Sequence, residues 1–221
     1  MPHALPNPIT CLITSGATTE RTTPASDEFR AVLDLVARAA AAGVTLIQLR
    51  EKRLTARALF ELATRAALIT RNTGTRLLVN DRADVARAAA CDGVHLTTRS
   101  LEVATVRRAF GPDLLVGVSA HTPAEARAAR DGGADFALFG PVFDTPSKRA
   151  YGPPLGPRLL RETAGALDPF PLIALGGVTL ENARACLDAG ARGVAAIRLF
   201  ADAQDLAAVV RAVHNEVMSD E

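Results

Sequence analysis

Between residues 172 and 197 the chain runs strand, helix, strand with short connections, an order that only parallel strands accommodate. The apolar run 172–175 is bounded by Pro171 and by the pair Gly176-Gly177. Thr179 then caps a predicted helix in which Leu180, Ala183, Cys186 and Leu187 recur at helical spacing. Gly190 ends that helix, and a second apolar run, 193–197, follows at once. A parallel pair joined by a helix buries both faces of its sheet, so this one unit commits the chain to α/β architecture.

The same alternation fills the rest of the sequence. Residues 1–8, with three prolines, read as an N-terminal arm. Further strands are predicted over 9–14, 45–51, 76–80, 94–97, 114–120 and 134–140. The first helix opens after Ser26, carries Phe29, Val32, Leu33, Val36 and Ala40 on one face, and stops before Gly43. Others are expected over 55–69, 83–90, 100–110, 159–166 and 205–217. Thr122-Pro123-Ala124-Glu125 starts one more, being a capping box with proline at the first helical position. Eight strands and eight helices in strict alternation, without a linker, predict a single (β/α)8 TIM barrel over 9–221. A doubly wound open sheet is the rival, but no G-x-G-x-x-G follows the first strand.

Composition narrows what such a barrel can serve. A net charge of +1 leaves no electrostatic footprint for nucleic acid or an anionic membrane, and 4% aromatic residues without Trp offer no base-stacking platform. No apolar run approaches the ~20 residues of a membrane span. The start, MPHALPNPIT, lacks the basic and apolar regions of a signal peptide. Cys11, Cys91 and Cys186 are scattered and not spaced as metal ligands, so they read as small core hydrophobes. A cytoplasmic protein acting on small molecules is expected, with no nucleic-acid or membrane partner and with homo-oligomer formation left open.

Function in such barrels collects at the C-terminal ends of the strands. The second strand ends Gln48-Leu49-Arg50-Glu51-Lys52, and a period of two puts Gln48, Arg50 and Lys52 inward while Ile47, Leu49 and Glu51 face the helices. A cationic rung at the mouth suits an anion, because buried charge is costly unless paired or met by a ligand. The competing reading is a rim cluster of salt bridges. The third strand ends Asn80-Asp81-Arg82, whose carboxylate either neutralises that rung or holds Mg²⁺ against a polyphosphate. The fifth ends Ser119-Ala120-His121, where His121 is either a general acid/base or a hydrogen-bonded residue at a helix start. The loop predicted over 141–157 carries Thr145, Ser147 and Lys148 and is long enough to be a binding loop or lid. Gly176-Gly177 either lets bare backbone N–H groups reach a ligand oxygen or makes a tight turn. Two anion-binding regions on one mouth suggest two phosphorylated substrates or one bisphosphate.

Six motifs then carry a resemblance. Gln-x-Arg-x-Lys at 48–52, Val-Asn-Asp-Arg at 79–82, Asp-Gly-Val-His-Leu at 92–96, Gly-Val-Ser-x-His-Thr at 117–122, Gly-Pro-Val-Phe-x-Thr-x-Ser-Lys at 140–148 and Ile-Ala-Leu-Gly-Gly-Val at 173–178 fall in order at the strand ends. Together they resemble the thiamine phosphate synthase and thiazole tautomerase family, over nearly the whole stretch from Ile9 to Phe200. The resemblance implies a transferase that joins a hydroxymethylpyrimidine diphosphate to a thiazole phosphate and releases pyrophosphate. In that family pyrophosphate departs first and the thiazole nitrogen captures the pyrimidine cation. By the same resemblance Gln48 would hold the pyrimidine. Arg50, Lys52 and Lys148 would clamp the diphosphate, with Asp81 on Mg²⁺ and Asn80 assisting. Ser119 would lie beside pyrimidine and diphosphate, while Thr145, Ser147 and the backbone of Gly176-Gly177 would hold the thiazole phosphate.

Two positions depart from the family pattern. Where the synthases continue Gly-Gln-x-Asp, whose aspartate is a second metal ligand, this chain reads Thr97-Thr98-Arg99-Ser100, so that ligand is missing, and position alone gives no reason to take Asp84 or Asp92 as its substitute. After the eighth strand Arg198 stands where the family has serine, and it either grips phosphate bidentately or points outward. The tautomerase branch moves a proton on the thiazole ring with a histidine at the place of His121 and needs no metal. The retained rung and Asp81 favour the synthase, and the lost aspartate favours the tautomerase. A third reading is a non-catalytic barrel that binds thiamine precursors.

Overall fold

The computed structural model describes residues 5–145 and 153–218. Its elements are β1 (Ile9–Ile13), α1 (Asp27–Ala41), β2 (Leu46–Leu49), α2 (Ala56–Thr70), β3 (Arg76–Asn80), α3 (Ala83–Ala88), β4 (Gly93–Leu96) and α4 (Val103–Phe110). Then come β5 (Leu115–Ala120), α5 (Pro123–Asp131), β6 (Phe136–Phe139), α6 (Gly156–Leu167), β7 (Leu172–Leu175), α7 (Leu180–Asp188), β8 (Gly193–Ala196), α8 (Arg198–Ala201) and α9 (Leu206–Met218). Every strand pairs in parallel with the next and β8 returns to β1, which closes the barrel.

The differences from expectation are local. Helix α4 begins at Val103 rather than 100, because Ser100 Oγ accepts the Thr97 N–H at 2.7 Å and closes a turn first. Helix α6 starts inside the expected loop, at Gly156-Pro157, where proline suits the first helical turn. The four-residue α8 directly after β8 was not expected.

Strand side chains alternate between two apolar compartments. Ile9, Cys11, Ile13, Leu46, Leu78, Leu115, Phe136, Leu138, Ile173 and Ala195 fill the barrel interior, and Leu5 packs against this cluster. Large and small residues interlock there, since a Cβ on Gly117 would overlap the Phe136 ring. The outward set, including Leu12, Ile47, Leu49, Leu77 and Val79, packs beneath the helices. Burial pushes the thiols of Cys11, Cys91 and Cys186 up to about 12, so all three stay protonated.

Ion pairs fasten the N-terminal end of the barrel. Asp92, just before β4, takes Arg76 at 3.0 Å and the Leu77 N–H at 2.8 Å. Asp135, just before β6, takes Arg107 at 2.6 Å and the Val116 N–H at 2.7 Å. The opposite end holds the strand termini that the sequence singles out.

Candidate active site

Gln48 ends the inward face of β2 and Asn80 that of β3, and Gln48 Nε2 donates to Asn80 Oδ1 at 2.9 Å. Gln48 is 3% exposed, and its Oε1 is buried without a hydrogen-bond partner. An unmet buried acceptor costs about 1–3 kcal/mol, so this wall of the mouth lacks one N–H donor. Arg50 is half-buried, with Nη1 lying 3.7 Å from where a Cβ on Gly16 would stand, in the loop between β1 and α1. Lys52 is exposed two residues further on, and Glu51 between them is buried.

Asp81 is exposed and adopts φ 65°, while its N–H continues the ladder to the His95 carbonyl at 2.8 Å. A non-glycine residue in that conformation at a strand end is a turn held by its surroundings, and aspartate tolerates it better than most. Asp84 is engaged by Arg82 through two hydrogen bonds, at 2.8 and 2.6 Å, and the guanidinium holds its carboxyl below the usual range. Asp92 lies at the other end of the barrel with Arg76. Neither therefore stands ready to replace the missing aspartate at the mouth. Among the described residues no group of three or more His, Cys, Asp or Glu side chains could hold a metal by itself. A single carboxylate at Asp81 fits Mg²⁺ that arrives on a diphosphate, because that ion takes much of its shell from water and phosphate oxygens.

His95 is the residue that sequence reasoning missed. It lies in register between Asn80 and Gly117, faces inward, and meets Ser119 Oγ through Nε2 at 2.9 Å. It is 2% exposed, and burial pushes its pKa down to about 3, so the ring is neutral. The available signal was a polar residue on the inward phase of a short apolar strand, Gly93 and His95 being two apart.

His121 sits at the start of α5. Its backbone N–H goes to Glu125 at 2.6 Å and its Nδ1 donates to the Gly140 carbonyl at 2.5 Å. A carbonyl only accepts, so Nδ1 is the donor of this bond.

The loop after β6 locks onto the end of β7. Val142 N–H reaches the Leu175 carbonyl at 2.8 Å and Phe143 N–H the Gly176 carbonyl at 3.0 Å. A Cβ on Gly177, where φ is 66°, would stand 2.7 Å from Phe143 Cβ and from the Asp144 carbonyl oxygen. Glycine is thus demanded there by the protein's own loop, before any ligand is considered. Asn182 in α7 donates to the Gly177 carbonyl at 2.9 Å and accepts the Thr179 N–H at 2.9 Å, which fixes this corner. Thr145 is half-buried at the edge of the described segment, and Ser147 and Lys148 lie outside the described residues. Arg198 is exposed as the first residue of α8, at the same end of the barrel.

The mouth therefore brings together Gln48, Asn80, Arg50, Asp81, Ser119 and His121, and adds His95. Residues 21–200 match the family model described as thiamine monophosphate synthase. The chain belongs to the thiamine monophosphate synthase family. Family members similar to it include the thiamine-phosphate synthase of Chlorobium luteolum, 41% identical over 203 residues, covering 92% of this chain and 88% of that one. The thiamine biosynthesis bifunctional protein of Symbiobacterium thermophilum is 46% identical over 176 residues, which are 80% of this chain and 36% of that longer protein. Among solved structures, thiamine phosphate pyrophosphorylase from Pyrococcus furiosus superposes with a TM-score of 0.80 at 27% identity, over 96% of each chain. As a member of the thiamine monophosphate synthase family the chain is a transferase of thiamine biosynthesis.

Proposed function

We propose that the chain joins a hydroxymethylpyrimidine diphosphate to a thiazole phosphate and releases pyrophosphate. The observation that carries this reading is the orphaned Gln48 Oε1, a buried acceptor that an amino group on a pyrimidine ring would satisfy. With the ring seated there, its diphosphate would extend toward Arg50 and Lys52, with Asn80 beside it and Lys148 as a further cation. Asp81 would hold Mg²⁺, which when bound supplies positive charge against the departing diphosphate. The carbon–oxygen bond to diphosphate breaks with its electron pair leaving on oxygen, and the thiazole nitrogen then donates its lone pair to the pyrimidine cation. Arg50 and Lys52 stabilise the charge that develops on the leaving group.

Ser119 would stand at the reacting end of the pyrimidine, with neutral His95 fixing its hydroxyl. Thr145, Ser147, the backbone of Gly176-Gly177 and Arg198 would hold the thiazole phosphate close to the cation, which is the positioning that such a capture needs. Supplying both substrates with Mg²⁺ and following pyrophosphate release tests the reading. Release that requires both Arg50 and Gln48 supports it. The tautomerase reading rests on His121, whose ring is held at the mouth by the Nδ1 bond to the Gly140 carbonyl. Thiazole isomerisation without pyrophosphate release would select it, and binding of both precursors without turnover would select the non-catalytic barrel.

A further inference from the structure

Glu51 is 2% exposed and lies two residues past the end of β2, whose Ile47 and Leu49 pack beneath the helices. A buried carboxylate in such a place is costly unless its oxygens are met. Its donors are neutral and all come from one loop: the Gly16 N–H at 3.2 Å, the Thr18 N–H at 3.2 Å and the Thr18 hydroxyl at 2.6 Å. The same loop is tied to β2 on the other side of Arg50, where Thr14 Oγ1 accepts the Arg50 N–H at 2.8 Å and the Thr14 N–H reaches the Gln48 carbonyl at 3.0 Å. Gly16 lies between these ties with φ 76°, and a Cβ there would stand 3.2 Å from the Arg50 carbonyl and 3.7 Å from its Nη1.

We infer that Glu51 is a positioning residue for Arg50: its buried carboxylate clasps the β1–α1 loop, whose Thr14 holds the Arg50 backbone and whose Gly16 leaves a seat beside its guanidinium. The inference builds on the proposed role of Arg50 in gripping the diphosphate. The two neighbours divide the labour: Arg50 serves the anion, and Glu51 fixes the loop beside it. A neutral isostere cannot do the same work, because Gln would turn an amide N–H₂ toward N–H or O–H donors.

The test is calorimetric binding of inorganic pyrophosphate with Mg²⁺ to the wild type, Arg50→Ala, Glu51→Gln and the double variant. Glu51→Gln is expected to weaken binding about tenfold, within the range of coupling seen inside one hydrogen-bond network. The double variant is expected to bind no more weakly than Arg50→Ala, because without the guanidinium the seat has nothing to hold. A second cycle with Thr18→Val, which removes the shortest bond to Glu51 while keeping the carboxylate, gives the same non-additive pattern and decides the matter if Glu51→Gln does not fold. Unchanged affinity in a folded Glu51→Gln, or losses that simply add to that of Arg50→Ala, would overturn the inference while leaving the role of Arg50 intact. Unchanged affinity in Arg50→Ala itself would sink the role of Arg50 and the inference with it.

Discussion

The imidazole of His95 is kept neutral by burial, and that ties the stability of the protein to pH in a direction that can be worked out. In the unfolded chain a histidine takes up its proton near 6.5, whereas the folded protein resists until about 3. Between those values the unfolded state binds more protons, so stability is full above 6.5 and declines as pH falls, by up to about 1.4 kcal/mol per pH unit. A His95→Gln variant lacks the proton site and should lose stability less steeply. Urea midpoints measured between pH 7 and 4 check this, and parallel curves for the two proteins would refute it. Asp81 gives a second prediction at the same scale. With Asp84 held by Arg82 and Asp92 at the far end, one carboxylate should bind Mg²⁺ only weakly by itself. Adding the diphosphate substrate should tighten Mg²⁺ binding in titrations, and Asp81→Asn should abolish that coupling while leaving thiazole-phosphate affinity intact. No tightening by diphosphate would move the weight to metal-free proton transfer at His121.

The elements divide into those whose signals are local and those whose reasons lie across the barrel. The alternation of strand and helix was readable because each unit carries its own period, and the Thr122 cap was explicit down to the Glu125 N–H bonding to its hydroxyl. Helix α8 was not readable, since four residues are too few to display a period. The glycine pair was located at the end of β7, but its packing partner was not, because nothing in 172–178 says that the loop after β6 will lie on it. His95 was passed over for the same cause: its partner, Ser119, is a strand away. At Gly177 this has a consequence that can be measured. Gly177→Ala must adopt a left-handed backbone, at about 1–2 kcal/mol, and must also displace Phe143 or Asp144. The melting temperature and the thiazole-phosphate affinity should therefore fall together. A variant that loses affinity at an unchanged melting temperature would mean that the loop gives way freely.

Across the whole molecule, paired charges fasten the N-terminal end while the C-terminal end carries Gln48, Arg50, Asp81 and His121. Changes at one end should therefore leave the other largely undisturbed, as sites this far apart and without shared partners usually behave. The filled interior has a different consequence. Phe136 occupies the room left by Gly117, and the apolar side chains clustered with it fill the barrel interior. Traffic must then use a single door: both substrates enter, and pyrophosphate and the joined product leave, through the same opening. With the pyrimidine docked at buried Gln48, as proposed, it would have to board first. A large excess of thiazole phosphate should queue in the doorway and slow turnover, an inhibition that raising the pyrimidine diphosphate relieves; steady-state rates over a grid of both concentrations would show it.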